Sequence, residues 1–300
     1  MTNFTNQYVP SIGLGTYNMS SEEAELTTFH ALKHGYRHID TAAVYRNEDG
    51  VAKGVKTYLN DSDLKREDIF ITTKLWPGGL VKVDRIKDYT GTVKSFEKSL
   101  MRLNLDYVDL YLIHSPHGKS KRLEQWRALV DLKEAGKIKY IGVSNWGIDH
   151  LSELKENDLP MPDANQIELH PWSQKPELVK FLRNEKIDII AYSSLVPLST
   201  WRHKDGENSK KTNEMHEIGL SENSPFKILA EKYDVTEAQF LLKWAVQNNY
   251  AVLPKSINIE RVKQNFELNF LIDQSDMEYI TTLDKGDSIT WEYGDPLKVK

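Results

Sequence analysis

The sequence predicts an α/β protein of the (β/α)8 TIM-barrel class, a single domain spanning residues 1–300. Three observations predict it. Short apolar runs of strand length alternate strictly with segments of helical period, which implies a parallel sheet. Eight such units fit in 300 residues, with strands near positions 12, 37, 70, 107, 138, 165, 188 and 251, and eight units at this length close into a barrel. A doubly wound open sheet is the nearest alternative, but no G-x-G-x-x-G lies between the first strand and its helix.

The elements follow in order. Ile12-Gly-Leu-Gly-Thr16 reads as a short strand whose glycines allow a close approach to the backbone. Ser20 with Glu23 forms a capping box. Leu26, Phe29 and Leu32 repeat at helical spacing until Gly35 stops the helix. Tyr36–Ile39 is a buried strand, with Asp40 where it runs out and Tyr45 in the next turn; a helix follows through about Tyr58. Phe70–Leu75 is a strand reaching Lys74, then the loop Trp76-Pro-Gly-Gly; Val93–Leu103 is helical and Tyr107–His114 is the plainest strand. Gln125–Ala135 and the region His150–Glu156 are helices flanking strand Ile138–Asn145; Asn165–His170 and Asp188–Leu195 are strands around a helix that Pro176 opens. Residues 196–225 are polar, without a core pattern, and are expected to hold a flexible loop. Helix signals return at Ser224-Pro225 and at the Thr236…Gln239 box; strand Ala251–Lys255 and helix Glu260–Asn269 close the series. The tail from Gly286 to Lys300 carries Trp291 without a helical period and is expected near the substrate site.

Composition narrows the function. Hydrophobic content of 39% supplies a sizeable core. A net charge of −5 argues against nucleic acid or an anionic membrane as main partner, while leaving room for a local phosphate pocket. There is no cysteine, which removes disulfides, thiolate metal sites and cysteine nucleophiles and fits a reducing compartment. Met1–Pro10 lacks the apolar core of a signal peptide, and no apolar run reaches the ~20 residues of a membrane helix. The expectation is a cytoplasmic monomer without a metal, acting on a small molecule.

In a parallel barrel all strand ends open on one face. Asp40, Tyr45, Lys74 and His114 fall there. A lysine ending an apolar strand needs an anion, and Asp40 is the one available. A phenol titrates near 10, but an adjacent ammonium favours the phenolate, so Tyr45 can give a proton to a carbonyl oxygen and take it back. Neutral His114 can donate a hydrogen bond to the same oxygen. Such a site has an acid and an orienter but no nucleophile, so its carbon needs a hydride from outside.

These residues carry a resemblance. The chain resembles the aldo-keto reductases, NAD(P)H-dependent barrel enzymes, over nearly its full length, in GYRHIDTAAVY, ITTKLW, LIHSP, GVSN, NQIELHP, AYSSL and LPKSINIERVKQN. The resemblance implies that Asp40, Tyr45, Lys74 and His114 are a catalytic tetrad and that NADPH is the cofactor. Tyr192 would then stack on the nicotinamide, with Ser144, Asn145 and Gln166 on its carboxamide and Gly15, Thr16, Tyr17 and Asp40 close by. Ser193 and Leu195 would approach the pyrophosphate; Lys255, Ser256, Ile257, Asn258 and Arg261 would surround the 2′-phosphate, with Gln264 and Asn265 on the adenine. Tyr17, Val44, Trp76, His114, Ser115 and Trp291 are the expected substrate-binding residues. Departures from the family pattern fall at Ser115, where relatives carry an aromatic residue, at Tyr17, often tryptophan, and at Trp146 and Pro197. Two other readings are a non-catalytic NADPH-binding barrel and a glycosidase using Asp40 with Glu168.

Overall fold

The computed structural model describes residues 8–81, 83–198, 210–221, 223–286, 290–291 and 294–300. Eight parallel strands form one sheet in sequence order. They are β1 (Leu14–Gly15), β2 (His38–Asp40), β3 (Phe70–Leu75), β4 (Val108–Ile113), β5 (Ile138–Ser144), β6 (Ala164–Glu168), β7 (Asp188–Tyr192) and β8 (Ala251–Val252). A parallel bridge between Ile12 and Val252, with Gly13 N–H donating to Val252 O at 2.8 Å, joins the last strand to the first. The sheet thereby closes, as a parallel barrel requires.

Around it lie α1 (Ser21–Lys33), α2 (Glu48–Asn60), α3 (Tyr89–Leu103), α4 (Arg122–Glu134), α5 (Ile148–Glu156), α6 (Pro176–Asn184), α7 (Lys210–Leu220), α8 (Pro225–Lys232), α9 (Glu237–Gln247), α10 (Ile259–Phe266) and α11 (Gln274–Thr281). The caps are those the side chains dictate. Ser20 and Glu23 close a reciprocal box on α1, Thr236 and Gln239 another on α9, and Asp88 accepts from Gly91 N–H at 2.7 Å to start α3. The last cap sets α3 going four residues before the expected start, through a polar first turn.

Two other differences have physical reasons. Residues 210–220, read as loop from their polarity, are helical in α7, and α11 follows where no further element was expected. Both helices lie outside the strand-plus-helix alternation, so counting units does not find them. Positions 199–209 and 222 of the expected flexible loop, and 287–289 and 292–293 of the tail, lie outside the described residues.

The period of two along each strand sorts residues to the two faces. Thr72, Lys74, Leu110, Leu112, Ala164, Gln166, Ile190 and Tyr192 share the register-paired inner face. Ile71, Tyr111, Ile113, Ile141, Val143, Ile167 and Ile189 alternate with them and pack in the main core under the helices. Leu110, Leu112, Ala164, Ile190 and Ala251 form an inner cluster with Val9. At the strands' amino ends the backbone N–H groups of Tyr8 and Val9 donate to Asp188 Oδ2 at 2.8 and 3.0 Å, and the Tyr8 ring stacks on Tyr140 at 4.7 Å. The chain thus closes the barrel end opposite the site. Gly13 and Gly15 serve closure too: a Cβ on Gly13 would meet the His38 ring at 2.6 Å, and one on Gly15 the Leu253 carbonyl at 2.8 Å. What approaches these glycines is the chain's own His38 and the segment after β8.

Candidate active site

The inner face delivers Asp40 and Lys74 to the carboxyl end of the barrel, both fully or almost fully buried. The Lys74 ammonium donates to Asp40 Oδ1 and, at 2.9 Å, to Thr41 O. Gln166 Nε2 donates to the other carboxylate oxygen of Asp40 at 2.8 Å. Burial pushes the Asp40 carboxyl up and the Lys74 ammonium down, and each charge pulls its partner back. The pair thereby satisfies two charges that could not be buried singly.

Tyr45 ends a single 3-10 turn, Ala43–Tyr45, between β2 and α2. Lys74 Nζ lies 5.1 Å from the centre of its ring, and the ring meets His114 nearly edge-on at 5.6 Å. His114 follows β4, its backbone N–H bonded to Leu75 O at 3.0 Å. Its Nδ1 is buried without a hydrogen-bond partner, and burial, then the Lys74 charge, holds its pKa well below the usual imidazole value. The ring is therefore neutral at physiological pH. The four groups spaced over 75 positions of sequence meet at one rim.

A second set adjoins them. Ser144 Oγ donates to Gln166 O at 2.9 Å, Asn145 Nδ2 donates to His114 O at 3.1 Å and Ser144 Oγ at 3.0 Å, and Tyr192 Oη donates to Asn145 Oδ1 at 2.7 Å. Gln166 spends its N–H on Asp40, so its Oε1 remains as an acceptor suited to a primary amide. Beyond β7, Ser193 adopts a left-handed conformation (φ 56°), turning the chain sharply before Leu195. At the amino end of α10, Asn258 caps Arg261 N–H at 3.1 Å; Lys255 and Arg261 are exposed there, with Asn265 buried and Ser256 and Gln264 half-buried. Ile257 is half exposed. Two cations at a helix amino terminus suit a phosphate dianion.

The expected substrate residues gather at the mouth. Tyr17 packs on Tyr45 at 5.1 Å, Trp76 meets His114 edge-on at 5.7 Å, and Val44 is exposed beside them in the 3-10 turn. Asp84 Oδ2 accepts from Trp76 Nε1 at 2.7 Å and fixes that indole. Trp291 Nε1 donates to Tyr192 Oη at 2.8 Å, and its ring stacks on His117 at 5.7 Å. Ser115 is buried and hydrogen-bonded to His117 Nδ1 at 3.0 Å. His117 was not foreseen; two residues beyond Ser115, it supplies a ring to this wall of the mouth. Asn47 was also missed. Fully buried, it accepts from Thr41 Oγ1 at 2.9 Å and donates to Thr16 O and Met19 O at 2.9 and 3.0 Å, tying β1's exit to β2's.

Glu168 is committed elsewhere. Its carboxylate accepts from His170 Nε2 at 3.0 Å and from the Thr290 N–H and hydroxyl at 3.1 and 2.8 Å, anchoring the tail that carries Trp291. Burial would raise its pKa, but the His170 hydrogen bond and the charges of His170 and Lys175 outweigh it and hold it at about 2. A glycosidase acid needs the opposite shift.

Residues 11–285 match the model of the Aldo/keto reductase family. The chain belongs to the aldo/keto reductase family. As an aldo-keto reductase it is an oxidoreductase of carbonyl compounds. It is 38% identical over 283 residues to a glyoxal reductase of Bacillus subtilis, covering 94% of this chain and 91% of that one. To a methylglyoxal reductase of Yersinia pestis it is 36% identical over 285 residues, covering 94% and 92%. The crystal structure of a Bombyx mori aldo-keto reductase in complex with NADP superposes with a TM-score of 0.80 at 29% identity, covering 96% of this chain and 95% of that one. Among the described residues of this aldo-keto reductase, no group of three or more His, Cys, Asp or Glu side chains could hold a metal ion and no helix is long and apolar enough to cross a membrane.

Proposed function

We propose that this enzyme reduces small aldehydes and α-oxoaldehydes to alcohols with NADPH, and that Tyr45 is the proton donor. The observation that carries the reading is the buried Lys74 ammonium, held by Asp40 and lying against the Tyr45 ring. The hydride that reduces the carbonyl carbon is the chemistry NADPH supplies when bound. The residues present fit that cofactor: the amide and hydroxyl set Ser144, Asn145 and Gln166 suits its carboxamide, Tyr192 offers a ring at a strand end, and Lys255 and Arg261 flank a helix amino terminus suited to its 2′-phosphate. The substrate class follows the glyoxal and methylglyoxal reductases that the chain resembles.

Within the site, Tyr45 protonates the carbonyl oxygen as negative charge grows on it. The neighbouring ammonium favours the phenolate left behind, and Asp40 keeps that ammonium charged and in place. Neutral His114 orients the carbonyl by hydrogen bonding to the same oxygen. Gln166 links the two halves of the site, since it touches Asp40 and belongs to the carboxamide set. The lack of cysteine supports a reducing, cytoplasmic setting, and we take the monomer as the working unit.

Tyr45→Phe tests the assignment. Loss of a general acid is expected to lower kcat about 10²–10⁴-fold, while calorimetric NADPH affinity stays within about twofold, because the ring remains. A Phe variant with near-parental turnover of methylglyoxal would overturn it.

A further inference from the structure

Tyr45 stands on a short turn between β2 and α2. The 3-10 turn Ala43–Tyr45 has no side-chain cap and buries none of its three residues fully; Arg46 after it is left-handed at φ 58°. A catalytic phenol nevertheless has to be held to about an ångström. Its ring packs against Tyr17, His114 and the Lys74 ammonium, and the turn that carries it is tied down by residues on either side.

Upstream, Thr41 O accepts from Lys74 Nζ, so the start of the turn is tied to the base of the ammonium. Downstream, the first residue of α2 is Glu48, three positions past Tyr45 and completely buried. Its carboxylate leaves the inner barrel altogether. It accepts from Thr73 Oγ1 at 2.6 Å on the outer face of β3, and from Arg102 Nε at 2.6 Å on α3. Thr73 is the residue immediately before Lys74. The Arg102 guanidinium also bonds Ser99 Oγ at 3.2 Å, and Tyr111 of β4 is buried close by with its hydroxyl unpaired. A buried carboxylate with an arginine partner is ordinarily explained as an ion pair that packs one helix on another. Here its second partner is the strand residue next to Lys74.

We infer that Glu48 is a positioning residue for proton transfer: by bonding Thr73 it fixes the far end of the Tyr45 turn to the strand position that presents Lys74. The inference rests on the assignment of Tyr45 as proton donor. Phenol and ammonium are then linked through two hydrogen-bonded straps, the Lys74 ammonium to Thr41 O on the inner side and the Thr73 hydroxyl to the Glu48 carboxylate on the outer side. The negative charge of Glu48 also acts favourably on the Lys74 ammonium across the strand.

The test separates the strap from packing. Thr73→Val removes one hydroxyl and leaves the Glu48–Arg102 pair intact; it is expected to lower kcat about tenfold, with KM for methylglyoxal and the NADPH dissociation constant each within twofold. Thr73→Ser, which restores the hydroxyl, is expected to recover kcat. Glu48→Ala should reproduce the loss and Glu48→Gln, which still accepts from Thr73, should recover most of it. Should Glu48→Ala fail to fold, the Thr73 pair decides alone. Thr73→Val with parental kcat, or with kcat and cofactor affinity falling while KM rises, would overturn the inference. If Tyr45→Phe is also active, the proton-donor assignment is what fails; if Tyr45→Phe is inactive while Thr73→Val is normal, only the strap does.

Discussion

His114 is held neutral by burial and by the Lys74 ammonium, and His38, deeper in the barrel, is pushed by burial and the same charge to about 3. Both folded values lie below the ~6.5 of a free imidazole. Below that pH the unfolded chain takes up protons that the folded chain refuses, so stability is greatest above about 6.5 and falls towards acid. For catalysis, kcat/KM for methylglyoxal is expected to show no imidazole limb between about pH 5.5 and 8. A pH profile with an inflection near the free imidazole value that vanishes in His114→Gln would contradict the neutral assignment. At this scale the sequence was readily legible where chemistry is rare. A lysine ending an apolar strand has few explanations, and Asp40 at the end of the preceding strand is the anion that bonds it. Asn47, Glu48 and His117 were not legible, because a polar residue at a helix start or in a loop looks the same whether or not it turns inward.

Strands were read more accurately than their ends. Phe70–Leu75 was read to the residue, since β-branched residues fill a strand buried on both faces. Strands β7 and β8 proved shorter than their apolar runs, because Ser193 turns left-handed and Pro254 cannot donate to a ladder. Helix α10, expected over Glu260–Asn269, spans Ile259–Phe266 behind the Asn258 cap, and its amino end gives a prediction of its own. Lys255→Met with Arg261→Ala is expected to weaken NADPH binding by about tenfold or more while NADH, which lacks the 2′-phosphate, changes by less than about threefold. Calorimetric titration with both cofactors measures it, and equal losses would remove these residues from phosphate recognition.

For the whole molecule, the barrel divides its labour between two ends. The carboxyl ends of the strands gather Asp40, Tyr45, Lys74 and His114; the amino ends are closed by Tyr8 and Val9 on Asp188. Asp188→Ala removes a buried acceptor from two backbone N–H groups, so it is expected to cost roughly 1–3 kcal/mol in urea denaturation with kcat unchanged. A drop in kcat at constant stability would show that the ends are not independent. This division explains why the eightfold alternation alone points to one end of the barrel for Asp40, Tyr45, Lys74 and His114.

The indole of Trp291, tethered to Tyr192, has a further consequence. Tryptophan emits where the reduced nicotinamide absorbs and the oxidised form does not. If the ring lies beside Tyr192, energy transfer from Trp291 would make the protein its own spectroscopic gauge of cofactor redox state, readable without any carbonyl compound. The other six tryptophans set the background, and replacing Trp291 by phenylalanine would isolate its share of the quenching.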